Sequence, residues 1–348
     1  MTGPIDFSTF VAHWRDIEGS EDQHYSGSDE RQSFSASFCE THGLMRLGVH
    51  HERLPPGRRL SWPHAEADEE EFVFVLEGEP DLWADGHVKR LKPDMGVSFP
   101  AGTGLAHTFL NNTEREIRLL VIGEASRERS RIHFPLDPRR NEEIGMRHWK
   151  IDPVRPLGPH DGLPHDTAPA DQLVSACPVD FSAFVDYWRD IEGADDTRYN
   201  GSDELHTISA SFGEKHGLMR LGIHHERLKP GRRASWPHAE ADEEEFVFVV
   251  EGEPDLWADG YLKRLRPGDG ASFPAGTGLA HTFLNNTDRD VRLVVVGEAT
   301  RSRSRLHYPM HPRRNAEIGE RHWRIERQAP PGPHDGLPDR LREKSRSS

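Results

Sequence analysis

The stretch WPHAEADEEEFVFVLEGEPDLW, residues 62–83, places one histidine beside a cluster of carboxylates and an alternating apolar run. It returns as WPHAEADEEEFVFVVEGEPDLW at residues 236–257, with one difference in twenty-two positions. Over residues 62–112, 44 of 51 positions are identical in the second copy, at a constant shift of 174 residues. This period indicates a duplicated domain, because solenoid repeats are only roughly 20–50 residues long.

The repeat predicts two domains, over residues 1–164 and 178–340. The sequence GPHDGLP closes each of them, at residues 158–164 and 332–338, and its glycines and prolines indicate a closing loop. Residues 165–177 between the copies are small, polar and proline-rich, which is typical of a linker. The basic residues 341–348 predict a disordered tail.

Each copy begins with apolar residues near helical spacing, and these predict an amphipathic helix over residues 7–17. Short alternating or apolar runs follow, separated by Gly, Pro, Asn and Asp, and they predict β-strands. Because no further helical pattern separates the strands, a parallel βαβ sheet is not expected. Many short antiparallel strands favour an all-β sandwich or jelly-roll barrel.

Charge and composition exclude several classes of function. The formal net charge of -15 argues against a nucleic-acid-binding protein, which usually carries a basic surface. No apolar run approaches the roughly 18 residues of a membrane span, and MTGPIDFSTF lacks the regions of a signal peptide. The two cysteines, Cys39 and Cys177, form no CxxC pair, which favours a reducing cytoplasm over a disulfide framework.

Strand alternation within residues 61–78 predicts a metal site. His64 and Glu66 leave the same face of an extended segment, and Glu71 begins the next apolar run. A turn at ADEE would bring Glu71 across from them, while His107 comes from another strand. Histidine and carboxylate side chains that converge in this way suit a divalent metal ion. The second copy offers the same set, namely His238, Glu240, Glu245 and His281. A polar barrel mouth without metal is the alternative.

These segments resemble the two motifs of the cupin superfamily over residues 34–125 and 208–299. The residues that match the first motif are Gly57, His64, Glu71 and Gly78, and those that match the second are Gly96, Pro100, Gly102, His107 and Asn111. The resemblance implies an all-β bicupin, with tandem double-stranded β-helix (jelly-roll) barrels and short peripheral helices. It also implies pairing of barrel faces, either in a homodimer or between the two barrels of one chain.

One departure from the cupin pattern changes the implied ligand set. The family's second histidine is Glu66 in the first copy and Glu240 in the second. The resemblance then implies one divalent ion per barrel, held by His64, Glu66, Glu71 and His107 and by their counterparts. Oxygen-rich ligands favour Fe(II), Mn(II) or Zn(II) over Cu(I).

The His-x-Glu change produces a second resemblance. His64, Glu66 and His107 are similar in type and order to the facial triad of Fe(II) oxygenases that use 2-oxoglutarate. In that arrangement Glu71 would lie outside the coordination sphere, either as a group that supports the ligands or as a general base. Such an enzyme needs a basic side chain for the far carboxylate of 2-oxoglutarate. The candidates are Arg46, Arg58, Arg59 and Lys89.

The cupin resemblance makes an Fe(II)-type oxygenase or dioxygenase, acting on a small organic molecule, the leading functional hypothesis. A redox-neutral isomerase or lyase, with Glu71 and Glu245 as catalytic bases, is a second reading. A non-catalytic sensor or storage module is a third. The HHER motif at residues 50–53 places His50 and Glu52 on one strand face and His51 and Arg53 on the other, and structural packing is its favoured role.

Overall fold

The computed structural model describes residues 5–20, 22–125, 130–165, 179–299, 304–325 and 331–347. The strands of the first copy are β1 Val11–His13, β2 Phe34–Ser37, β3 Leu47–Leu54, β4 Ala65–Glu66, β5 Glu71–Glu77, β6 Asp81–Ala84, β7 His87–Arg90, β8 Met95–Phe99, β9 His107–Leu110, β10 Ile117–Glu124 and β11 Ile132–His133. Its helices are α1 Trp14–Ile17, α2 Phe38–His42 and α3 Pro138–Glu143. Short 3-10 turns cover Phe7–Thr9 and Gly145–Arg147.

The second copy repeats this order. Its strands are β12 Val185–Tyr187, β13 Ile208–Ser211, β14 Leu221–Leu228, β15 Ala239–Glu240, β16 Glu245–Glu251, β17 Asp255–Ala258, β18 Tyr261–Arg264, β19 Asp269–Phe273, β20 His281–Leu284, β21 Val291–Glu298 and β22 Leu306–His307. Its helices are α4 Phe212–His216, α5 Pro312–Glu317 and α6 Asp339–Ser347, and its 3-10 turns are Phe181–Ala183, Trp188–Asp190 and Gly319–Arg321. None of the helices in the described ranges is long and apolar enough to cross a membrane, and the cytoplasmic location stays a prediction.

Each barrel closes a large antiparallel sheet over a small one. In the first barrel the large sheet has the order β12-β8-β5-β10-β3-β2 and the small sheet the order β7-β6-β9. Val73 and Val75 point inward from the large sheet and meet Leu82 and Phe109 of the small one, and all four are fully buried. The alternation of β5 therefore buries one set of side chains inside the barrel, and the all-β, tandem jelly-roll prediction is confirmed.

The prediction of an amphipathic helix over residues 7–17 is wrong. Those residues form a 3-10 turn, the strand β1 and the single helical turn α1. The strand β1 pairs with β19 of the second barrel, with Val11 opposite Ala271 and His13 opposite Asp269. An edge strand offers unpaired backbone groups, whereas a short isolated helix is marginal in water. Pairing with β19 also buries Phe10 and Val11 in the second barrel's core.

The exchange is reciprocal, because β12 of the second copy pairs with β8 of the first barrel. Phe184 and Val185 enter the first barrel's core. The segment that contains β1 is the N-terminal arm of the first copy, and the segment that contains β12 is that of the second. Each arm thus packs in the opposite barrel, although the domain boundaries read from the repeat stay a prediction. The predicted linker falls almost wholly on residues 166–178, outside the described residues. The expected disordered tail at residues 341–348 instead overlaps α6.

The outer faces of the two large sheets pack against each other through one apolar cluster. The Phe212 ring of the second copy contacts Phe72, with ring centroids 5.2 Å apart, and Phe38 contacts Phe246 in the mirrored place at 5.0 Å. A β-carbon on Gly96 would lie 2.5 Å from the Phe212 ring. The barrel-face pairing implied by the cupin resemblance therefore occurs inside one chain.

Candidate metal centre

Two histidines are brought side by side by a bridge between separate parts of each barrel. His64 precedes β4 and His107 begins β9, and the two residues form an isolated antiparallel bridge. The His107 amide donates to the His64 carbonyl at 2.9 Å, and the His64 amide donates back to the His107 carbonyl at 3.2 Å. Their imidazole ring centroids are consequently 5.0 Å apart.

Glu71 completes the group from the first position of β5. The nearest potential ligand atoms of His64, Glu71 and His107 all lie within 4.8 Å of one another. The Glu71 Oε2 atom is 3.5 Å from His107 Nε2 and 4.0 Å from His64 Nε2. His238, Glu245 and His281 repeat the group in the second barrel, with corresponding distances of 3.5 Å and 3.7 Å.

The backbone orients both histidines toward the centre of this group. His64 Nδ1 lies 2.8 Å from the Trp62 carbonyl oxygen, and His107 Nδ1 lies 3.4 Å from the Leu105 carbonyl oxygen. Since a carbonyl only accepts hydrogen bonds, Nδ1 carries the proton and Nε2 presents its lone pair. Among the described residues, the buried Nε2 atoms of His107 and His281 find no hydrogen-bond partner. These donors fit a divalent metal ion.

Comparison with known proteins agrees with this geometry. Residues 50–123 and 224–297 each match the family described as Cupin domain. The chain is a bicupin. Its relatives include quercetin 2,3-dioxygenase from Bacillus subtilis, with 23% identity over 255 residues, which are 70% of the bicupin and 72% of the relative. A polyketide synthase named CurC, from Streptomyces cyaneus, is 34% identical over 107 residues, which are 30% of the bicupin and 64% of that relative.

Solved structures support the fold of the bicupin. Salicylate 1,2-dioxygenase from Pseudaminobacter salicylatoxidans superimposes with a TM-score of 0.56 at 16% identity, over 86% of the bicupin and 88% of that chain. Oxalate decarboxylase from Bacillus subtilis superimposes with a TM-score of 0.52 at 14% identity, over 85% and 77% of the two chains. At these identities the likeness establishes the two-barrel architecture alone.

The second predicted carboxylate, Glu66, is not among the three residues whose ligand atoms all lie within 4.8 Å of one another. Its Oε1 atom is nevertheless 4.0 Å from His64 Nε2, the same distance as Glu71 Oε2. Burial, together with the charge of Glu71, raises the pKa of Glu66 to about 9. Burial likewise raises the pKa of Glu240 to about 8, with the charge of Glu245 adding to the effect. Of the four predicted ligands in each barrel, the structure therefore brings three together and places the fourth at their edge.

The pKa values of the remaining groups follow burial and the charges nearby. Burial would raise the pKa of Glu71, but the charges of His107 and His64 outweigh it and lower the pKa. Burial, aided by the charge of His107, lowers the pKa of His64. In His238 the nearby carboxylates of Glu245 and Glu240 overcome burial and raise the pKa to about 9. The copies differ because these carboxylates are closer in the second barrel, at 3.7 Å instead of 4.0 Å.

A cavity of about 400 Å³ reaches His64 and Glu71 inside the first barrel. His50 and Glu52 line it, while His51 on the opposite strand face stacks on Trp14 with ring centroids 4.2 Å apart. The alternation predicted for HHER is thus present. Burial raises the pKa of Glu52, and the Ser33 hydroxyl donates to its carboxyl group at 2.5 Å. Sequence reasoning missed Tyr25 as a lining residue, because no local pattern links it to the barrel interior.

The basic side chains considered for binding 2-oxoglutarate contact other groups of the protein. Arg59 forms an ion pair with Glu30 at 2.6 Å, and Arg58 pairs with Asp22 at 2.8 Å. Arg46 reaches Glu298 of the second barrel at 2.6 Å. The Lys89 ammonium lies 5.8 Å from the Phe181 ring centroid. None of these four side chains lines the cavity that reaches His64 and Glu71, so the geometry offers no partner among them for the far carboxylate of 2-oxoglutarate.

The closing loop brings together a further group, His160, Asp161 and His165. The Gly162 amide donates to His160 Nδ1 at 3.1 Å, so the His160 proton resides on Nε2 and that atom offers no lone pair. In the second copy Asp339 replaces His165, and Arg342 lies 3.3 Å from Asp335. These contacts are those of a loop that closes the barrel.

Proposed function

We propose that this bicupin is a metal-dependent dioxygenase that acts on a small organic molecule, with one divalent ion in each barrel. The observation that carries the proposal is the convergence of His64, Glu71 and His107, with the buried Nε2 of His107 lacking a partner among the described residues. The same geometry recurs at His238, Glu245 and His281. A buried polar atom without a partner is costly, and a bound metal ion would satisfy it.

The residues that would hold the ion are the two histidines and Glu71, or Glu245 in the second barrel. Bound Fe(II), Mn(II) or Zn(II) would offer open coordination positions, which in a redox-active ion can bring substrate and O2 together. Similarity to quercetin 2,3-dioxygenase over 70% of the chain supports the oxygen-dependent reading. The cavity of about 400 Å³ suits a small molecule rather than a polymer.

The carboxyl groups of Glu66 and Glu240, next to the metal-binding residues, would transfer protons. Glu71 and Glu245, predicted as catalytic bases, lie among the proposed ligands and would therefore bind the ion instead. Glu66 and Glu240 lie outside the converging groups, and Glu66 Oε1 is 4.0 Å from His64 Nε2. We assign Glu66 and Glu240 as the groups that donate or accept a proton at the bound substrate.

The test combines metal analysis with oxygen consumption. Protein without a histidine tag is compared with a His64→Ala, His238→Ala double variant, each reconstituted with Fe(II), Mn(II) or Zn(II). We expect about two metal equivalents per chain, one for each three-residue group, and their loss in the double variant. Quercetin and salicylate are the first substrates, followed by other hydroxylated aromatic compounds, and O2 uptake is recorded together with loss of substrate.

The outcomes separate the three functional hypotheses. Oxygen uptake that accompanies substrate loss, and that disappears in the double variant, supports the dioxygenase. Product without oxygen uptake supports a redox-neutral isomerase or lyase. Ligand that binds and is recovered unchanged supports a non-catalytic module. Absence of bound metal after all three reconstitutions would contradict the metal site itself.

A further inference from the structure

We propose that each metal site is positioned by an arginine of the opposite barrel, Arg220 for the first site and Arg46 for the second. This inference rests on the proposed metal-binding function and deepens it. It concerns the turn at residues 67–70, which joins the segment of His64 and Glu66 to Glu71. The turn sets the distance between the histidine side and the carboxylate side of the site.

The first contact of the opposite barrel is with the turn's backbone. Arg220 Nη2 donates to the carbonyl oxygen of Asp68 at 2.7 Å. Arg220 Nε also donates to both carboxylate oxygens of Glu124, at 2.8 and 2.9 Å. Glu124 also accepts a hydrogen bond from the backbone amide of Glu70 at 2.9 Å. One guanidinium group therefore holds two points of the turn, one directly and one through Glu124.

The second contact is made by Glu70, the residue immediately before the predicted ligand Glu71. The Glu70 side chain is 2% exposed. It accepts the backbone amides of Met219 at 2.7 Å, Arg220 at 2.9 Å and Leu221 at 2.9 Å. Three amides on one buried carboxylate form a strong, directional set of charge-assisted hydrogen bonds. The backbone at Glu71 is thereby anchored to the other barrel.

The second metal site has the same arrangement with the barrels reversed. Arg46 Nη2 donates to the Asp242 carbonyl at 2.7 Å, and Arg46 Nε donates to Glu298 at 2.8 and 2.9 Å. Glu244, next to Glu245, accepts the amides of residues 45–47 at 2.8 to 3.0 Å. The contacts match the first set to within about 0.1 Å, so Arg46 and Arg220 are matched controls for each other.

The two arginines affect metal binding more than stability. Their side chains are 47% and 45% exposed, and exposed ion pairs contribute little to the free energy of unfolding. Their hydrogen bonds to the Asp68 and Asp242 carbonyls, in contrast, restrain the turns that carry Glu71 and Glu245. Groups that orient metal ligands typically change metal affinity by about 10- to 100-fold when removed.

The test uses chains with a single functional site. His281→Ala leaves the first site intact and His107→Ala leaves the second, and each background receives Arg220→Ala or Arg46→Ala. The dissociation constant for Co(II) and the visible absorption spectrum of the bound ion are measured for all combinations. We expect Arg220→Ala to weaken Co(II) binding about 10-fold and to alter the spectrum in the His281→Ala background only. Arg46→Ala should do so in the His107→Ala background only.

A conservative variant tests whether geometry or charge is responsible. Arg220→Lys keeps the charge but lacks the fork that reaches Glu124 and the Asp68 carbonyl together, so we expect Co(II) binding to stay weakened. Full recovery of affinity, equal losses at both sites, a loss only at the site of the variant's own barrel, or no loss would each overturn the inference. Failure of both single-site backgrounds to bind Co(II) before any arginine is changed would instead contradict the proposed metal site, and this inference with it.

Discussion

At the scale of single residues, the two carboxylates of the repeated stretch have different surroundings. Glu71 begins β5, whose inward-facing positions continue into the barrel core with Val73 and Val75. Glu66 ends the two-residue strand β4 and lies opposite Ile132 of β11. Position on a long interior strand therefore directs Glu71 at the histidines, whereas Glu66 flanks them.

This difference predicts unequal effects of removing each charge. In the His281→Ala background, we expect Glu71→Gln to weaken metal binding at the first site by more than about 100-fold, because a ligand carboxylate is lost. Glu66→Gln should change the affinity by about 10-fold or less, as expected of a group outside the ligands. Competition with a chromophoric chelator measures both. Equal losses would mean that both carboxylates bind the ion.

Only the part of the site that depends on local residue spacing was predictable from the sequence. His64, Glu71 and His107 follow from strand alternation and from the motif positions that resemble cupins. Their support by Glu70, Arg220 and Glu124 joins residues up to about 150 positions apart, and no local pattern encodes a contact of that range. The separation of Glu66 from Glu71 likewise depends on the pairing of β4 with β11, which a single strand pattern does not reveal.

At the scale of elements, the N-terminal arm shows why helical spacing misled the prediction. Phe10 and Val11 are buried, as the amphipathic pattern requires, but they are buried by pairing with another barrel. Spacing alone reports which residues are buried and leaves open which backbone conformation buries them. Because the edge of β19 offers backbone groups for pairing, the N-terminal arm forms a strand there.

The pairing of this arm can be tested at Ala12. The register places Ala12 opposite Gly270, between the flanking hydrogen bonds from Ser272 N to Phe10 O and from Trp14 N to Gly268 O. Ala12→Pro removes an amide from the ladder, and we expect a loss of about 1–3 kcal/mol in the free energy of unfolding. Ala12→Val keeps the amide and serves as the control in urea denaturation. A proline variant as stable as the valine variant would argue against the strand.

The motif glycine Gly96 has a structural role that the motif does not state. It admits the Phe212 ring, which would lie 2.5 Å from a β-carbon at this position. We expect Gly96→Ala to destabilise the bicupin by about 1–3 kcal/mol through overpacking, measured by thermal or urea unfolding. Gly48→Ala, where the nearest atom would be 3.5 Å away, should be close to neutral, and equal effects of the two changes would contradict this account.

At the scale of the whole molecule, the duplication was predictable and the exchange of arms was not. The repeat is visible along the sequence, whereas the partner of each arm depends on how two nearly identical barrels meet. Most of the named contacts of the interface occur twice with equivalent residues, although the Arg292–Asp94 ion pair has no counterpart because Gly268 stands at the position equivalent to Asp94. Glu70 binds the amides of residues 219–221 and Glu244 those of residues 45–47. The contact is therefore isologous, like that of a two-fold homodimer.

An isologous contact predicts how the first copy behaves alone. Residues 1–164 carry the arm, Phe38, the acceptor Glu70 and the amides of residues 45–47, so two copies can form the contacts that the full chain forms internally. We expect this fragment to be a homodimer at micromolar concentration, as measured by light scattering during size exclusion. Phe38→Asp places a charge where a fully buried ring packs on the other barrel, and burying an unpaired charge is costly. It should therefore abolish the dimer. A folded, monomeric wild-type fragment would show that the arm can close on its own barrel and that the exchange is not needed for folding.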